Sequence, residues 1–145
     1  MGKKKKYLLL LLTGAVLVAA VTVYYLYNKP AIDVQDADGQ KVVATALYET
    51  FIKDSTAAKN NYTNKILEVS GMVTTITQNQ RHQPVVLLKT NMEGAAINCT
   101  LEGPAGNIKS GHHLSIKGIC NGIGEGDADL GIMGDVYLVR CYVLK

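Results

Sequence analysis

The sequence predicts a mainly β domain of five short strands, led by N-terminal helices and preceded by one transmembrane helix. Three observations carry that expectation. Residues Tyr7 to Tyr27 form an uncharged run of 21 residues. Over residues 43–52 the apolar side chains recur at helical spacing. From Lys65 onward the period drops to two, and Gly, Pro and Asn clusters cut the chain into five segments.

The first element is the apolar run. At about 1.5 Å rise per residue it makes roughly 31 Å of helix, the thickness of a bilayer's hydrocarbon core. Lys3, Lys4, Lys5 and Lys6 abut it and favour a cytoplasmic N-terminus. Tyr24, Tyr25 and Tyr27 suit the opposite interface, and Lys29 and Pro30 close the helix. These residues imply a single-pass protein of the cell membrane whose C-terminal domain is periplasmic or extracellular. A cleaved signal is the competing reading, because "VLVAA" offers small residues up to Ala20. The apolar run continues seven residues beyond that point, and no cysteine precedes Cys99, so the lipid-modified cysteine of a lipoprotein is missing. Both readings export the domain.

Residues 28–40, "NKPAIDVQDADGQ", are polar and rich in turn formers, which reads as a linker. The segment 41–54 follows as a helix, with Val43, Leu47 and Phe51 beside Ala44, Tyr48 and Ile52 on one face and Asp38 as a capping carboxylate. Residues 54–65 add a short second helix capped by Asp54 or Ser55.

The strands come next. In "ILEVSGMVTTI", Leu67, Val69, Gly71 and Val73 share one face, and Gly71 suggests a bend or bulge. After a 77–83 loop, "PVVLLKT" (84–90) begins at a proline, the position a strand tolerates. "AAINCTL" (95–101) aligns Ile97, Cys99 and Leu101, and "HHLSIKGIC" (112–120) aligns Leu114, Ile116 and Cys120. A Gly-rich loop (121–134) leads to "DVYLVRCYVLK" (135–145). Five strands with one long connection between the third and fourth suit a Greek-key barrel, and closure hides strand edges. The 41–54 helix covers one open end.

Across residues 42–145 the chain resembles the tRNA-anticodon-like OB-fold family of exported bacterial proteins. The resemblance lies in Tyr62 and Lys65 ahead of Leu67-x-Val69-x-Gly71-x-Val73, in Cys99, and in Gly111. It continues through Lys117-Gly118-x-Cys120-x-Gly122, Asp135-Val136-x-Leu138 and Cys141. It implies a five-stranded OB barrel in the bacterial envelope. The loop between Asn121 and Asp135 departs from the family pattern.

The remaining motifs point away from catalysis. Cys99, Cys120 and Cys141 fall in phase with core positions and lack the partners of a zinc site, so they read as buried thiols; a Cys99–Cys141 disulfide is the alternative. Glu125, Asp127 and Asp129 alternate like calcium ligands, but the sixth and twelfth positions counted from Glu125 are Leu130 and Val136 rather than Gly and Glu. A solvated acidic turn is expected. His82, His112 and His113 read as surface residues. No catalytic residue, metal site or cofactor is called for, and the chain is expected to be a binding module rather than an enzyme.

Charge then ranks the partners. The four N-terminal lysines outweigh the chain's net +3, leaving −1 for the remainder. The second and third strands hold no aromatic residue on which bases could stack. On those grounds an envelope protein or glycan ranks above nucleic acid, with single-stranded nucleic acid as the alternative. Arg81, Lys89, Asn98 and Thr100, outward on the second and third strands and their loop, are the candidate contacts.

Overall fold

The computed structural model describes residues 2–29 and 33–145. The chain divides into two units, Met1–Asp33 and Val34–Lys145. The first unit is dominated by α1 (Lys3–Tyr27), none of whose residues is buried. It is the one helix among the described residues long and apolar enough to cross a membrane. Its polar hydroxyls turn inward on the helix: Thr13 donates to the Leu9 and Leu10 carbonyls and Thr22 to that of Val18. Asn28 caps the C-terminus through its N–H to the Tyr24 carbonyl. Pro30 lies outside the described residues.

The second unit runs β1 (Gln40–Val43), α2 (Ala44–Lys53), α3 (Ser55–Tyr62), β2 (Ile66–Gln78), β3 (Pro84–Lys89), β4 (Ala96–Leu101), β5 (His113–Ile123) and β6 (Val136–Leu144). The strand order is β1-β2-β3-β4-β6-β5, and β2 also pairs with β5, which closes β2 to β6 into a five-stranded barrel. Length makes this closure available. The first half of β2 pairs with β5 (Ile66↔Ile119 to Met72↔His113), and the second half pairs with β3 (Val73↔Leu88 to Gln78↔Pro84). A register shift between Val73 and Thr75 bends the strand where it changes partner.

The interior is the alternation read from the sequence. Leu67, Val69 and Val73 meet Val86, Leu88, Ile97, Leu101, Ile116 and Leu138 in one cluster with Cys99, Cys120 and Cys141. All three cysteines are free and buried. Hydrogen bonding with Cys141 and burial hold the Cys99 thiol well above its ordinary value, and burial raises that of Cys120.

α2 covers one end of the barrel through Ala44, Leu47, Tyr48 and Phe51, an i, i+3, i+4, i+7 stripe that is wholly buried. Each of the three large side chains contributes about 1.5–3 kcal/mol of hydrophobic stabilisation. The Tyr48 hydroxyl donates to the Gly134 carbonyl at 2.9 Å, which satisfies the polar end of this side chain. Gly71 allows the close approach. A Cβ there would fall 2.9 Å from the Cβ of Ala44, so its role is helix contact, while the bulge sits three residues further on.

Four local expectations are corrected. The helix starts at Ala44 rather than Lys41, because residues 40–43 instead pair parallel with β2 (Gln40↔Leu67 to Val43↔Ser70). Its N-cap is Val43 with no side-chain cap, so Asp38 does not serve. Val43 and Ile52 lie outside the buried stripe at 52% and 45% exposure. Strand β5 also runs on through Ile123, which trims the Gly-rich loop to 124–135. The second helix is capped as expected, with the Ala57 N–H donating to Asp54 at 2.9 Å.

Residues 34–37 pack on the barrel. Val34 is buried, and the Lys117 ammonium donates to the carbonyls of Gln35 (3.3 Å) and Ala37 (2.9 Å) while lying 3.7 Å from Glu68.

Candidate nucleic-acid interface

The outer surface of β3, β4 and β6 is built by alternation. On β4 the side chains of Ile97, Cys99 and Leu101 go inward, so Ala96, Asn98 and Thr100 face out. Parallel pairing of β4 with β6 sets Asn98 opposite Tyr137, and antiparallel pairing with β3 sets it opposite Leu87. Leu87, Asn98 and Tyr137 therefore form one outward row about 10 Å across, two strand spacings. Tyr137 is 41% exposed. Its ring edge rests over Gly124, where a Cβ would come within 2.7 Å of Cε2; the glycine makes room for the ring.

Each end of this surface opens into a hollow. One, about 590 Å³, is lined by Thr74, Leu87, Lys89, Met92, Ala96 and Asp135, among others. Its rim is ordered: buried Thr90 donates to the Ala95 carbonyl at 2.8 Å and accepts from the Met92 N–H at 3.2 Å, and the Asp135 carboxylate accepts from the Ala96 N–H at 2.9 Å. The other hollow, about 480 Å³, lies between the 79–83 loop and β6 and is lined by Arg81, Gln83, Thr100, Glu102 and Arg140, among others. Along β4, Ala96 and Thr100 stand about 13 Å apart, at about 3.3 Å per residue.

The four residues singled out from sequence all border this surface. Lys89 lines the first hollow; Arg81 and Thr100 line the second; Asn98 stands in the central row. Tyr137 and Arg140 were missed because they belong to the last strand, and only barrel closure brings that strand beside β4. The outward phase of Tyr137 between Val136 and Leu138 was the available signal.

The other singled-out groups serve local structure. The Asp127 carboxylate accepts from the Asp129 and Leu130 N–H groups and so closes its own turn. His112 accepts from the Lys109 N–H through Nδ1. Among the described residues, no group of three His, Cys, Asp or Glu side chains is arranged to hold a metal.

A closed five-stranded barrel with this strand order, a capping helix and a bordered outer sheet defines an OB-fold binding module. The tRNA_anti-like family matches residues 1–130, and the chain belongs to that family. No curated protein matches it. Among solved structures, a protein described as an aspartyl-tRNA synthetase of Leishmania major Friedlin is similar over 86% of this chain, at 8% identity and a TM-score of 0.44. The chain covers 25% of that protein's length.

Family membership overturns the ranking of nucleic acid below an envelope protein or glycan. Physically, the sheet takes its aromatic side chain from β6 rather than from β3 or β4. Charge is also local: Arg81 and Arg140 outnumber Glu102 in the second hollow, whereas the first sets Lys89 among Glu93 and Asp135.

Proposed function

We propose that this protein binds single-stranded nucleic acid across the outer surface of β3, β4 and β6. Tyr137 supplies a stacking platform, Leu87 an apolar neighbour, and Asn98 and Thr100 hydrogen bonds to base edges or sugar. Lys89 and Arg81 hold the backbone at the two ends. The observation that carries this reading is the Leu87–Asn98–Tyr137 row, an exposed aromatic ring beside a polar side chain and an apolar one on the face where OB folds take their ligands. The sequence-independent character of stacking suits a strand rather than a defined duplex site.

In the same reading α1 is an uncleaved membrane anchor, with Lys3–Lys6 on the cytoplasmic side and the barrel displayed on the other. The uncharged span and the lysine cluster support it.

Fluorescence anisotropy of a labelled dodecathymidylate against the full chain in detergent tests the binding. Micromolar affinity that weakens with salt is expected, and Tyr137→Leu should cost about 1–3 kcal/mol for one stacked base. Absence of binding at low salt would refute the proposal, as would full affinity in the Tyr137 variant.

A further inference from the structure

The hollow between the 79–83 loop and β6 has more structure than a solvated rim requires. Its two cations come from opposite walls and are placed by separate devices. On one wall, Asn79 organises the loop: its Oδ1 accepts from the Arg81 N–H (2.9 Å) and the Gln83 N–H (3.0 Å), and its Nδ2 donates to Gln83 Oε1 (3.0 Å). The backbone closes the same turn, Asn79 N–H to the Gln83 carbonyl and His82 N–H to the Asn79 carbonyl. Arg81 is therefore presented by a braced turn.

On the other wall, Arg140 sits in a β-bulge. Cys99 pairs with Leu138 and Leu101 with Cys141, so Thr100 alone opposes both Val139 and Arg140. Arg140 adopts φ = 53°, a left-handed conformation that disfavours side chains other than Gly and Asn. Among the described residues, neither Arg81 nor Arg140 has a carboxylate within ion-pair distance, although Glu102 lines the same hollow. Two arginines without carboxylate partners converge on one cleft of about 480 Å³, which is room for a nucleotide rather than a lone ion.

We propose that this cleft is a phosphate subsite in which Arg81 and Arg140 together grip one phosphodiester of the bound strand. The inference rests on the nucleic-acid reading and deepens it. Guanidinium groups match phosphate oxygens in a bidentate fork, and two of them on one phosphate bind it from both sides. Thr100, two residues along β4 from Asn98, places the gripped phosphate beside the base stacked on Tyr137. Glu102 in the same cleft opposes the phosphate, the two guanidiniums outweigh it, and its carboxylate accepts hydrogen bonds from sugar hydroxyls or base amino groups.

The test is the salt dependence of dodecathymidylate binding by the full chain, Arg81→Gln, Arg140→Gly and the double variant. Glycine at 140 suits the positive φ, so this variant should fold, and its far-UV circular dichroism is recorded alongside; Arg140→Lys serves as a second probe that keeps the charge. Each single variant should weaken binding about tenfold at moderate salt with little change in the slope of log K against log salt, because the remaining guanidinium still neutralises the shared phosphate. The double variant should lower the slope by about 0.7, the release from one single-strand phosphate. Arg140→Lys should keep the slope and recover only part of the affinity, as expected where a bidentate fork matters. Unchanged slope and affinity in the double variant, together with loss in Tyr137→Leu, would overturn the cleft and leave the binding surface standing. A fall of about 0.7 in each single variant and twice that in the double variant would overturn the shared phosphate. Failure of the unaltered protein to bind the oligonucleotide would overturn both.

Discussion

Lys117→Met should detach residues 34–39 from the barrel and destabilise the domain by about 2–4 kcal/mol. The Lys117 side chain is 10% exposed, so its contacts are poorly screened by water. It donates to two backbone carbonyls, at 2.9 and 3.3 Å, and hydrogen bonds from a charged donor contribute about 1.5–3 kcal/mol each. Methionine preserves the aliphatic stem and leaves little cavity, so the packing contribution of the residue survives. Against the lost bonds stands the relieved desolvation of a buried ammonium, which recovers about 1–2 kcal/mol. The Glu68 contact at 3.7 Å is too long to change the balance. For a domain of this size each kcal/mol moves Tm by about 3–5 °C, so a fall of roughly 6–20 °C is expected. Thermal unfolding of the full chain in detergent measures it, and hydrogen exchange reports whether amides from 34 to 43 lose protection. A loss under about 1 kcal/mol with unchanged exchange in that segment would refute the reasoning.

Three further outcomes follow from the packing and the buried thiols. Gly71→Ala should destabilise by about 1–2 kcal/mol, because its Cβ meets the immovable Cβ of Ala44 at 2.9 Å; Ala44→Gly in the same chain should restore part of the loss, and equal stability of the single variant in urea would contradict this packing. Cys99 and Cys120 resist ionisation when folded, so the unfolded chain releases their protons first. Their contribution is complete below the ordinary thiol range of about 8.5 and declines as pH rises above it, so urea midpoints under reductant should fall from pH 8 to 10, less so in Cys99→Ala. A flat profile would count against buried neutral thiols. Asp54→Ala removes the one side-chain cap seen on the two short helices and should cost about 1 kcal/mol, read from the same urea curves.

Much of the barrel was legible because strand phase is local. Leu67, Val69 and Val73, or Ile97, Cys99 and Leu101, declare their inward face through alternation alone, and the structure buries each of them. The α2 stripe was legible in part: its period was plain, but Val43 and Ile52 share that period and only the contact with the barrel mouth decided which flank is covered. β1 was unreadable as a strand. "KVV" runs straight into a good helix pattern, and what makes it a strand is the parallel edge of β2 beside it. The candidate contacts Arg81, Lys89, Asn98 and Thr100 could be named from strand phase, while their grouping into a central row and two hollows could not.

The sequence by itself determined the apolar span of α1, the change of period at Lys65 and the inward face of the barrel strands. Each depends on neighbours a few residues away. Tertiary structure decided the surface: closure sets β6 parallel to β4, nearly forty residues apart in the chain, and so puts Tyr137 beside Asn98 and Arg140 across a cleft from Arg81. It also decided the bulge that turns Arg140 to φ = 53° and the hold of Lys117 on the Gln35 and Ala37 carbonyls. The physical reason is that pairing between distant strands is set by the barrel's closure and register as a whole, and no local pattern of apolar and polar residues encodes which strand will be the neighbour.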